Sequence, residues 1–341
     1  MAELLPSRGT RHERAVRWGI VGTGGIAAAF AADLRVAPEA GELVAVASRT
    51  PLRADAFAAR VGAPRAYGSH EQLAADHDLD VVYVAVPHTA HHAAAKLALE
   101  AGKAVLVEKP FTVNRREAED LVTTARSRGL FLMEAMWTRF LPHAVEIRRL
   151  IAEGRLGELR LVVAQFGVRF DYDPTSRMFD PALGGGALLD LGVYPVSFAA
   201  MVLGAPSEVT ATADLGPTGV DAQTAVTLRY PGGRQAVAVS SMEAWLPNGA
   251  TIAGRDARID VDGMFYRPAP FTLTDRHGDQ ERFDGAVAGG GMQFEALEVA
   301  RCLRAGLTET PVLPLDETLS IMETLDRARA AIGLTYPGEA A

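Results

Sequence analysis

Residues 17–27, Arg-Trp-Gly-Ile-Val-Gly-Thr-Gly-Gly-Ile-Ala, decide the fold of this chain. An apolar run breaks there into glycines and resumes as an alanine-rich helical pattern that extends through Leu34. Gly22 permits the tight turn between a strand and a helix, and Gly24 lets the backbone approach a pyrophosphate. The amides of Gly25 and Ile26 would open the helix and point toward the anion. The stretch predicts a dinucleotide-binding turn, although the same pattern alone is also typical of an ordinary glycine-rich loop.

The length and composition favour a globular chain of two domains. With 341 residues, of which 48% are hydrophobic and 22% charged, the chain has enough apolar side chains for two buried cores. The formal net charge of -8 opposes a broad attraction to nucleic acid or to an anionic membrane surface. We therefore expect a small-molecule ligand, and an anionic one would need a local cluster of positive charge.

Cysteine usage and the apolar runs bear on the location of the protein. Cys302 is the single cysteine, so it can form no internal disulfide, which is typical of a reducing compartment. Residues 1–16 are rich in Arg and His and contain no apolar core long enough for a secretory signal. No later run approaches the length that a membrane span needs. We therefore expect a cytoplasmic protein with no membrane or nucleic-acid partner.

Strand and helix patterns alternate through the first 137 residues. Continuous apolar runs at 42–50, 80–87, 104–107 and 130–134 suit parallel strands that are covered on both faces, and helical patterns lie between them. This alternation predicts an α/β doubly wound parallel sheet, that is, a Rossmann domain over residues 15–137.

Residues 138–341 show a different pattern of predicted strands and helices. A strand is predicted at 159–166, and the segments 207–215, 222–230, 234–242, 250–261 and 271–283 alternate apolar with polar residues. Helices are predicted near 143–153, 186–203, 292–305 and 316–332. We therefore predict a substrate-binding and oligomerisation domain over 138–341, an α+β domain with a large, mostly antiparallel sheet.

The predicted antiparallel sheet also bears on assembly. Helices can cover one face of such a sheet, and the other face must be buried elsewhere or be polar. In the strand 234–242 neither face is strongly polar, since Ala236 and Ala238 alternate with Val237 and Val239. We therefore expect a homodimer or homotetramer that associates through this sheet.

Ser48 and Arg49 end the second predicted strand, where a dinucleotide-binding fold selects its cofactor. An acidic residue there would hydrogen-bond the free ribose hydroxyls of NAD, and this chain has none at that point. Ser48 can hydrogen-bond a 2′-phosphate. Arg49 can donate two charge-assisted hydrogen bonds to the same phosphate, and Arg53 lies nearby in the sequence. We predict NADP in preference to NAD, against the alternative of a solvated arginine in a turn.

Two more strand ends should meet the cleft, because ligands bind at the carboxyl ends of parallel strands. The third strand is followed by Pro87, His88 and His91, and the fourth by Glu108, Lys109 and Pro110. We expect all of these except Pro110 to contact the nicotinamide end of the cofactor, although a solvated surface lysine would have the same spacing. The histidines predict no metal site, because no carboxylate completes a ligand set.

Three glycines at 184–186 lead into a helical pattern that contains Asp190 and Tyr194. A spacing of four residues places both side chains on one face of an α-helix, so a carboxylate and a phenol can address the same ligand. The alternative is a core tyrosine that is hydrogen-bonded to a nearby carboxylate.

These motifs together resemble the Gfo/Idh/MocA oxidoreductases over nearly the whole chain. The matching stretches are residues 22–27, Glu108-Lys109-Pro110 and the helix with Asp190 and Tyr194. The resemblance implies an NAD(P)-dependent oxidation of a hydroxyl with Lys109, Asp190 and Tyr194 at the reacting carbon. Residues 133–142 are similar to the dimeric dihydrodiol dehydrogenases and to NADP-dependent xylose dehydrogenases within that family.

The implied chemistry requires a base for the hydroxyl proton. An unperturbed tyrosine, with a pKa of about 10, is a poor base at neutral pH. We expect the positive charge of Lys109, helped by the oxidised nicotinamide, to lower the pKa of Tyr194. Asp190 would orient this pair or the substrate hydroxyl. In the reverse direction Tyr194 would be the acid, and Lys109 would polarise the carbonyl.

The predicted substrate wall mixes aromatic and charged side chains. A flat apolar diol would suit Trp137, Phe166 and Phe170, whereas a sugar would suit Arg139, Arg169, Asp171 and Asp173. The number of charges favours an aldose or polyol, with Trp137 stacked on the sugar, over a cyclic trans-diol. A non-catalytic NADP sensor is the alternative from another class of protein, and the joint presence of Lys109, Asp190 and Tyr194 argues against it.

Overall fold

The computed structural model describes residues 14–339, and its first half is a six-stranded parallel sheet in the order β3-β2-β1-β4-β5-β6. The strands are β1 (Arg17–Val21), β2 (Glu42–Ala47), β3 (Arg65–Tyr67), β4 (Val81–Val84), β5 (Ala104–Glu108) and β6 (Leu132–Ala135). This is the strand order of a doubly wound dinucleotide-binding fold. Most of residues 1–16, with Arg8, Arg11 and His12, and residues 340–341 of the predicted second domain lie outside the described residues.

Helices connect these strands. They are α1 (Gly25–Val36), α2 (Pro51–Val61), α3 (His70–Ala74), α4 (His91–Glu100) and α5 (Arg115–Arg128). The ends of α5 follow from local chemistry, because the Asn114 side chain accepts a hydrogen bond from the Glu117 amide and Gly129 has a φ of 62°. The short β3 and α3 were not predicted, since three and five residues are too few to show a period.

The second half contains an eight-stranded sheet in the order β14-β13-β12-β11-β7-β10-β9-β8. Its strands are β7 (Leu159–Gly167), β8 (Glu208–Leu215), β9 (Asp221–Arg229), β10 (Gln235–Ser241), β11 (Ala250–Gly254), β12 (Ala257–Val261), β13 (Phe271–Asp275) and β14 (Gln280–Phe283). Only β7 and β10 are parallel neighbours. The predicted fold class is therefore confirmed, but the predicted strands 250–261 and 271–283 are each a pair of antiparallel strands.

The helices of the second half are α6 (Pro142–Ala152), α7 (Val193–Leu203), α8 (Gln293–Arg304) and α9 (Leu315–Ile332). Helix α7 packs on β7, and α9 packs on β8 and on α5 of the first half. This packing buries one face of the sheet, including Val162, Ala164 and Ala238. The aromatic core of the first half, with Trp18 and Phe30, is also fully buried.

An apolar segment in the second half contradicts the expectation that no run reaches the length of a membrane span. By length and composition alone, Pro181–Leu203 meets that criterion, with 23 residues and a mean hydropathy of 1.7. However, 94% of its most apolar window is buried inside the protein. Packing within the core therefore accounts for its composition.

Candidate active site

A cavity of about 1390 Å³ runs from the glycine turn after β1 to the residues that precede α7. It is lined by side chains from both halves of the chain. All predicted cofactor-binding residues line it, namely Gly22, Gly24, Gly25, Ile26, Ser48, Arg49, Arg53, Pro87, His88, His91, Glu108 and Lys109. Asp190 and Tyr194 line it as well. The cavity thus brings together residues that lie far apart in the sequence.

The glycine turn is shaped to receive an anion. Gly22 has a φ of 113°, and a Cβ atom there would lie 2.1 Å from the main-chain oxygen of Ala85. At Gly24 and Gly25 a Cβ atom would meet nothing within 4 Å. Helix α1 begins at Gly25 with neither a side-chain cap nor an acidic residue in its first turn. Its free amides therefore suit the pyrophosphate of a dinucleotide.

The end of the cavity beside β2 is positively charged. Ser48 is buried at 7% exposure, and Arg49 and Arg53 lie beside it in the lining. Two residues that the sequence analysis missed, Arg60 and His70, also line this end. Of the described residues that line the cavity, only Glu108 and Asp190 are acidic, and both belong to the opposite end.

Arg60 could have been found from the helical period. The guanidinium lies 4.9 Å from the centre of the Phe57 ring and donates to the main-chain oxygen of Thr23, 3.4 Å away. Arg53, Phe57 and Arg60 are spaced by four and three residues, so they share one face of α2. This face turns toward the glycine turn.

His91 and Glu108 lie on the floor of the cavity and are buried at 0% and 5% exposure. The ring nitrogens of His91 each lie 2.9 Å from a main-chain oxygen, one of Val86 and one of Pro110. Burial lowers the pKa of His91 to about 3, so the ring is neutral and donates to one of the two. Glu108 accepts hydrogen bonds from the Tyr83 hydroxyl and the Lys109 amide, and burial raises its pKa.

Lys109 and Asp190 form an ion pair across the cavity. Lys109 Nζ lies 2.8 Å from the main-chain oxygen of Asp190 and 3.1 Å from Oδ1. His88 Nε2 lies 3.4 Å from the same Oδ1, and Arg177 approaches it at 3.3 Å. Burial opposes the ionisation of Asp190, but these neighbours, with Lys109 foremost, hold its pKa well below the ordinary value. The carboxylate is therefore ionised and shared among three basic side chains.

His88 is the third side chain that contacts the Asp190 carboxylate. Its Nδ1 lies 2.9 Å from the main-chain oxygen of Gly184, which fixes the ring between the two halves of the chain. Burial lowers the pKa of His88, and the neighbouring Asp190 opposes that shift only in part. Burial thus favours the neutral ring, which has one N–H and can donate to only one of these two oxygens. Among the described residues there is no group of three or more His, Cys, Asp or Glu side chains that could hold a metal ion.

The pKa of Tyr194 shifts in the direction opposite to the one expected. Its hydroxyl accepts a hydrogen bond of 3.0 Å from the Trp137 indole, and Lys109 Nζ lies over its ring, 5.0 Å from the ring centre. Burial raises the pKa of Tyr194 well above its ordinary value, and the charge of Glu108 adds to this effect. Burial and Glu108 outweigh the lowering that was expected from Lys109, which is paired with Asp190. The phenol is neutral in this structure.

The local backbone also departs from a regular helix at this site. Residues Leu188–Gly192 form a π-helical turn, and α7 begins only at Val193. The prediction that Asp190 and Tyr194 share one face of an α-helix is therefore wrong in its geometry. Both side chains still line the cavity, Asp190 from the π-helical turn and Tyr194 from the first turn of α7.

The substrate wall contains the predicted aromatic residues but not the predicted arginines. Trp137, Phe166 and Phe170 line the cavity. Arg139 does not, since it is 2% exposed and donates to Ser197 and, at 2.7 Å, to Glu317. Arg169 does not either, because it pairs at the surface with Asp171.

The sequence did not predict several lining residues of the substrate end, among them Tyr266, Arg267 and Arg177. Tyr266 stacks on Phe166 with the ring centres 3.9 Å apart. Arg267 follows it, and Arg177 lies in the segment between β7 and α7. All three lie in irregular segments, so no periodicity marks them.

Two family models match the chain, one in each half. Residues 16–136 match the NAD-binding Rossmann domain of the Gfo/Idh/MocA oxidoreductase family, and residues 144–264 match a Gfo/Idh/MocA C-terminal domain. The chain belongs to this family, and it is an oxidoreductase with an NAD(P)-binding Rossmann fold. The resemblance inferred from the motifs is confirmed.

The chain is also similar to individual members of the family. It is 42% identical to trans-1,2-dihydrobenzene-1,2-diol dehydrogenase of Macaca fuscata fuscata, over 95% of this chain and 98% of the relative. A 3-ketoreductase from Actinomadura kijaniata, solved with NADP and TDP-benzene, is 29% identical with a TM-score of 0.81, over 94% of this chain and 98% of that one. An aldose-aldose oxidoreductase from Caulobacter crescentus shares the fold at 24% identity with a TM-score of 0.82, over 93% of this chain and 97% of that one.

Proposed function

We propose that this protein oxidises one secondary hydroxyl of a cyclic trans-dihydrodiol, with NADP as the hydride acceptor. The aromatic wall of the cavity carries the proposal, because Trp137, Phe166 and Tyr266 present flat apolar surface beside Lys109 and Tyr194. The charged residues that favoured a sugar do not line the cavity, namely Arg139, Arg169, Asp171 and Asp173. The 42% identity to a dehydrogenase of such a diol supports the same choice.

NADP as the preferred cofactor is supported by the charge of the cavity beside β2. Ser48 offers a hydroxyl, and Arg49, Arg53 and Arg60 offer guanidinium groups to a 2′-phosphate. A carboxylate in place of Ser48 would repel that phosphate. When bound, the cofactor supplies a nicotinamide that takes up the hydride from the hydroxyl-bearing carbon.

The proton donor and acceptor of the proposed reaction is a side chain of the protein. Tyr194 is a neutral phenol, so it can donate its proton to a ketone oxygen in the reductive direction. In the oxidative direction Tyr194 must first release that proton to solvent and then accept the proton of the substrate hydroxyl. The positive charge of Lys109, 5.0 Å from the ring centre, favours the phenolate that this requires. Asp190 holds Lys109, and the Trp137 indole holds the Tyr194 hydroxyl. Both contacts orient the acid-base group before the substrate enters.

A sugar remains the second candidate substrate. Lys109, Asp190, His88 and Arg177 form a polar group that can hydrogen-bond several hydroxyls at once. An aldose would bind with its hydroxyls on this group and its apolar face on the aromatic wall. The fold shared with the aldose-aldose oxidoreductase is compatible with this alternative but is shown only at the level of architecture.

The deciding experiment compares kcat/KM for trans-1,2-dihydrobenzene-1,2-diol, D-xylose and D-glucose by NADPH absorbance. We expect the diol to be preferred by about tenfold or more, which is about 1.4 kcal/mol of transition-state binding. A sugar preferred by the same margin would overturn the proposal. NADP binding without turnover of any of the three would instead favour the non-catalytic sensor.

We also propose that the protein assembles as a homodimer or homotetramer through the outer face of the eight-stranded sheet. That face carries Leu161, Val163, Val237 and Val239, which are half-buried or exposed. A second copy of the chain would cover these side chains.

We propose a cytoplasmic location on the ground of cysteine usage, since the single cysteine, Cys302, is a buried free thiol.

A further inference from the structure

Arg267 stands at the substrate end of the cavity without a charged partner. Its side chain is exposed, and no ion pair or side-chain hydrogen bond joins it to any other residue within 14–339. Its guanidinium carbon lies 5.8 Å from the centre of the Tyr266 ring, one of the aromatic rings of the wall. The group is thus held beside the proposed substrate site.

The backbone around Arg267 is fixed from both sides. The Arg267 amide donates to the main-chain oxygen of Met264 at 2.8 Å, which closes a turn. The main-chain oxygen of Tyr266 accepts a buried hydrogen bond of 2.9 Å from the Thr138 hydroxyl. These bonds tie the loop between β12 and β13 to the residues that follow β6. The main-chain position of Arg267 is therefore set by its own turn and by the contact of Tyr266 with Thr138.

Positive charge exceeds negative charge at this end of the cavity. Lys109, Arg177 and Arg267 line it, and Asp190 is shared by the first two. Glu108 is buried beneath them, and burial raises its pKa. The whole chain carries a formal net charge of -8, so this excess is local. A neutral diol would leave the charge of Arg267 without a counterion.

We propose that the natural substrate is a cyclic diol that bears a carboxylate, which Arg267 binds while the ring lies on the aromatic wall. The inference rests on the proposed dihydrodiol oxidation and deepens it by naming the substituent. The planar guanidinium matches a carboxylate with two parallel hydrogen bonds. Arg177, which donates to Asp190, also lines the cavity and adds to its positive charge. A phosphate would satisfy the same charge, and the experiment separates the two anions.

The first arm of the test measures turnover. The substrates are trans-1,2-dihydrobenzene-1,2-diol and trans-2,3-dihydroxy-2,3-dihydrobenzoate, which adds a ring carboxylate. We expect the wild-type protein to favour the carboxylate by about tenfold in kcat/KM, and Arg267→Met to abolish that ratio. Arg255→Met is the matched control, because Arg255 is an exposed arginine that pairs with Glu158 and does not line the cavity. Equal kcat/KM for the two diols, or a ratio unchanged in Arg267→Met, would overturn the inference.

The second arm measures binding and needs no turnover. Benzoate, phenyl phosphate and benzyl alcohol are titrated by calorimetry into the protein saturated with NADP, so that the phosphate sites of the cofactor are filled. We expect benzoate to bind at least about tenfold more tightly than benzyl alcohol, and Arg267→Met to remove the difference. Tighter binding of phenyl phosphate than of benzoate would refute the proposed carboxylate and indicate a phosphorylated substrate. Benzoate selectivity without turnover of either diol would refute the proposed reaction and retain the anion site.

Discussion

The ammonium of Lys109 contacts Asp190 twice, at its main-chain oxygen and at Oδ1, and makes no hydrogen bond to the Tyr194 hydroxyl. The lysine therefore neutralises the carboxylate and acts on the tyrosine only through its charge, 5.0 Å from the ring centre. In the reaction that we propose, this arrangement divides the roles of the three side chains. Asp190 would position the lysine, and the charge of the lysine would favour the phenolate.

Replacing Lys109 by methionine removes that charge and leaves the buried Asp190 carboxylate without its main counterion. We expect Lys109→Met to lower kcat by roughly 10²–10⁴, the range for a positioned acid-base group. NADP binding by fluorescence titration serves as the check on folding. Lys96→Met is the control, because Lys96 pairs at the surface with Asp120. A variant with more than about half of the parental kcat would refute the role of Lys109.

Replacing Tyr194 by phenylalanine deletes the proton donor and keeps the ring. We expect Tyr194→Phe to lower turnover by roughly 10²–10⁴ with NADP binding nearly intact. A deuterium isotope effect on the hydride-donating carbon must show that chemistry limits the rate. Tyr230→Phe is the matched control, since Tyr230 is a buried tyrosine outside the cavity. Retention of about half of the parental rate would show that another group moves the proton.

Replacing Ser48 by aspartate should invert the cofactor preference. The new carboxylate would repel a 2′-phosphate and could accept hydrogen bonds from the free ribose hydroxyls of NAD. In the parent protein we expect NADP to bind at least about tenfold more tightly, because one charge-assisted contact contributes about 1.5–3 kcal/mol. Ser127→Asp, on the exposed face of α5, controls for the added charge. Equal dissociation constants for NADP and NAD in the parent would contradict the prediction.

The outer face of the eight-stranded sheet should join two copies of the chain. Light scattering at micromolar concentration is expected to show a dimer or a larger species. Val237→Glu would place a charge on that face and shift the equilibrium toward monomer. Leu307→Glu, at an exposed position beyond α8, is the control. A parent protein that is monomeric under these conditions would exclude this interface.

Glu134 should make stability depend on pH. It is fully buried, accepts a 3.2 Å hydrogen bond from the Phe111 amide, and burial raises its pKa from 4.5 to about 7. The folded state keeps this proton to a higher pH than the unfolded chain, so its contribution to stability falls as the pH rises from about 4.5 to about 7.

We therefore expect Glu134→Gln, which cannot ionise, to lose less in Tm than the parent between about pH 5 and about pH 8. Differential scanning calorimetry at the two pH values measures this loss. Glu243→Gln, at an exposed position, is the control. An identical change in Tm for the parent and Glu134→Gln would show that Glu134 is not the titrating group.

The sequence by itself determined the features that depend on neighbours along the chain. The glycine turn at Gly22 and Gly24 and the alternation of strand and helix follow from periods and turn chemistry that a few residues specify. The position of Lys109 at a strand end was equally accessible, because all parallel strands of a doubly wound sheet end at the same edge. The family followed from the order of these motifs.

Only the tertiary structure decided which side chains meet across the cavity and how they ionise. Trp137 and Arg139 are two residues apart in one short turn, yet one contacts Tyr194 and the other is buried against Ser197 and Glu317. Tyr266 and Arg267 come from a loop without a period. The pKa of Tyr194 is raised, not lowered, because it is governed by burial and by Glu108. Burial and through-space charge depend on packing between distant segments, which no local pattern encodes.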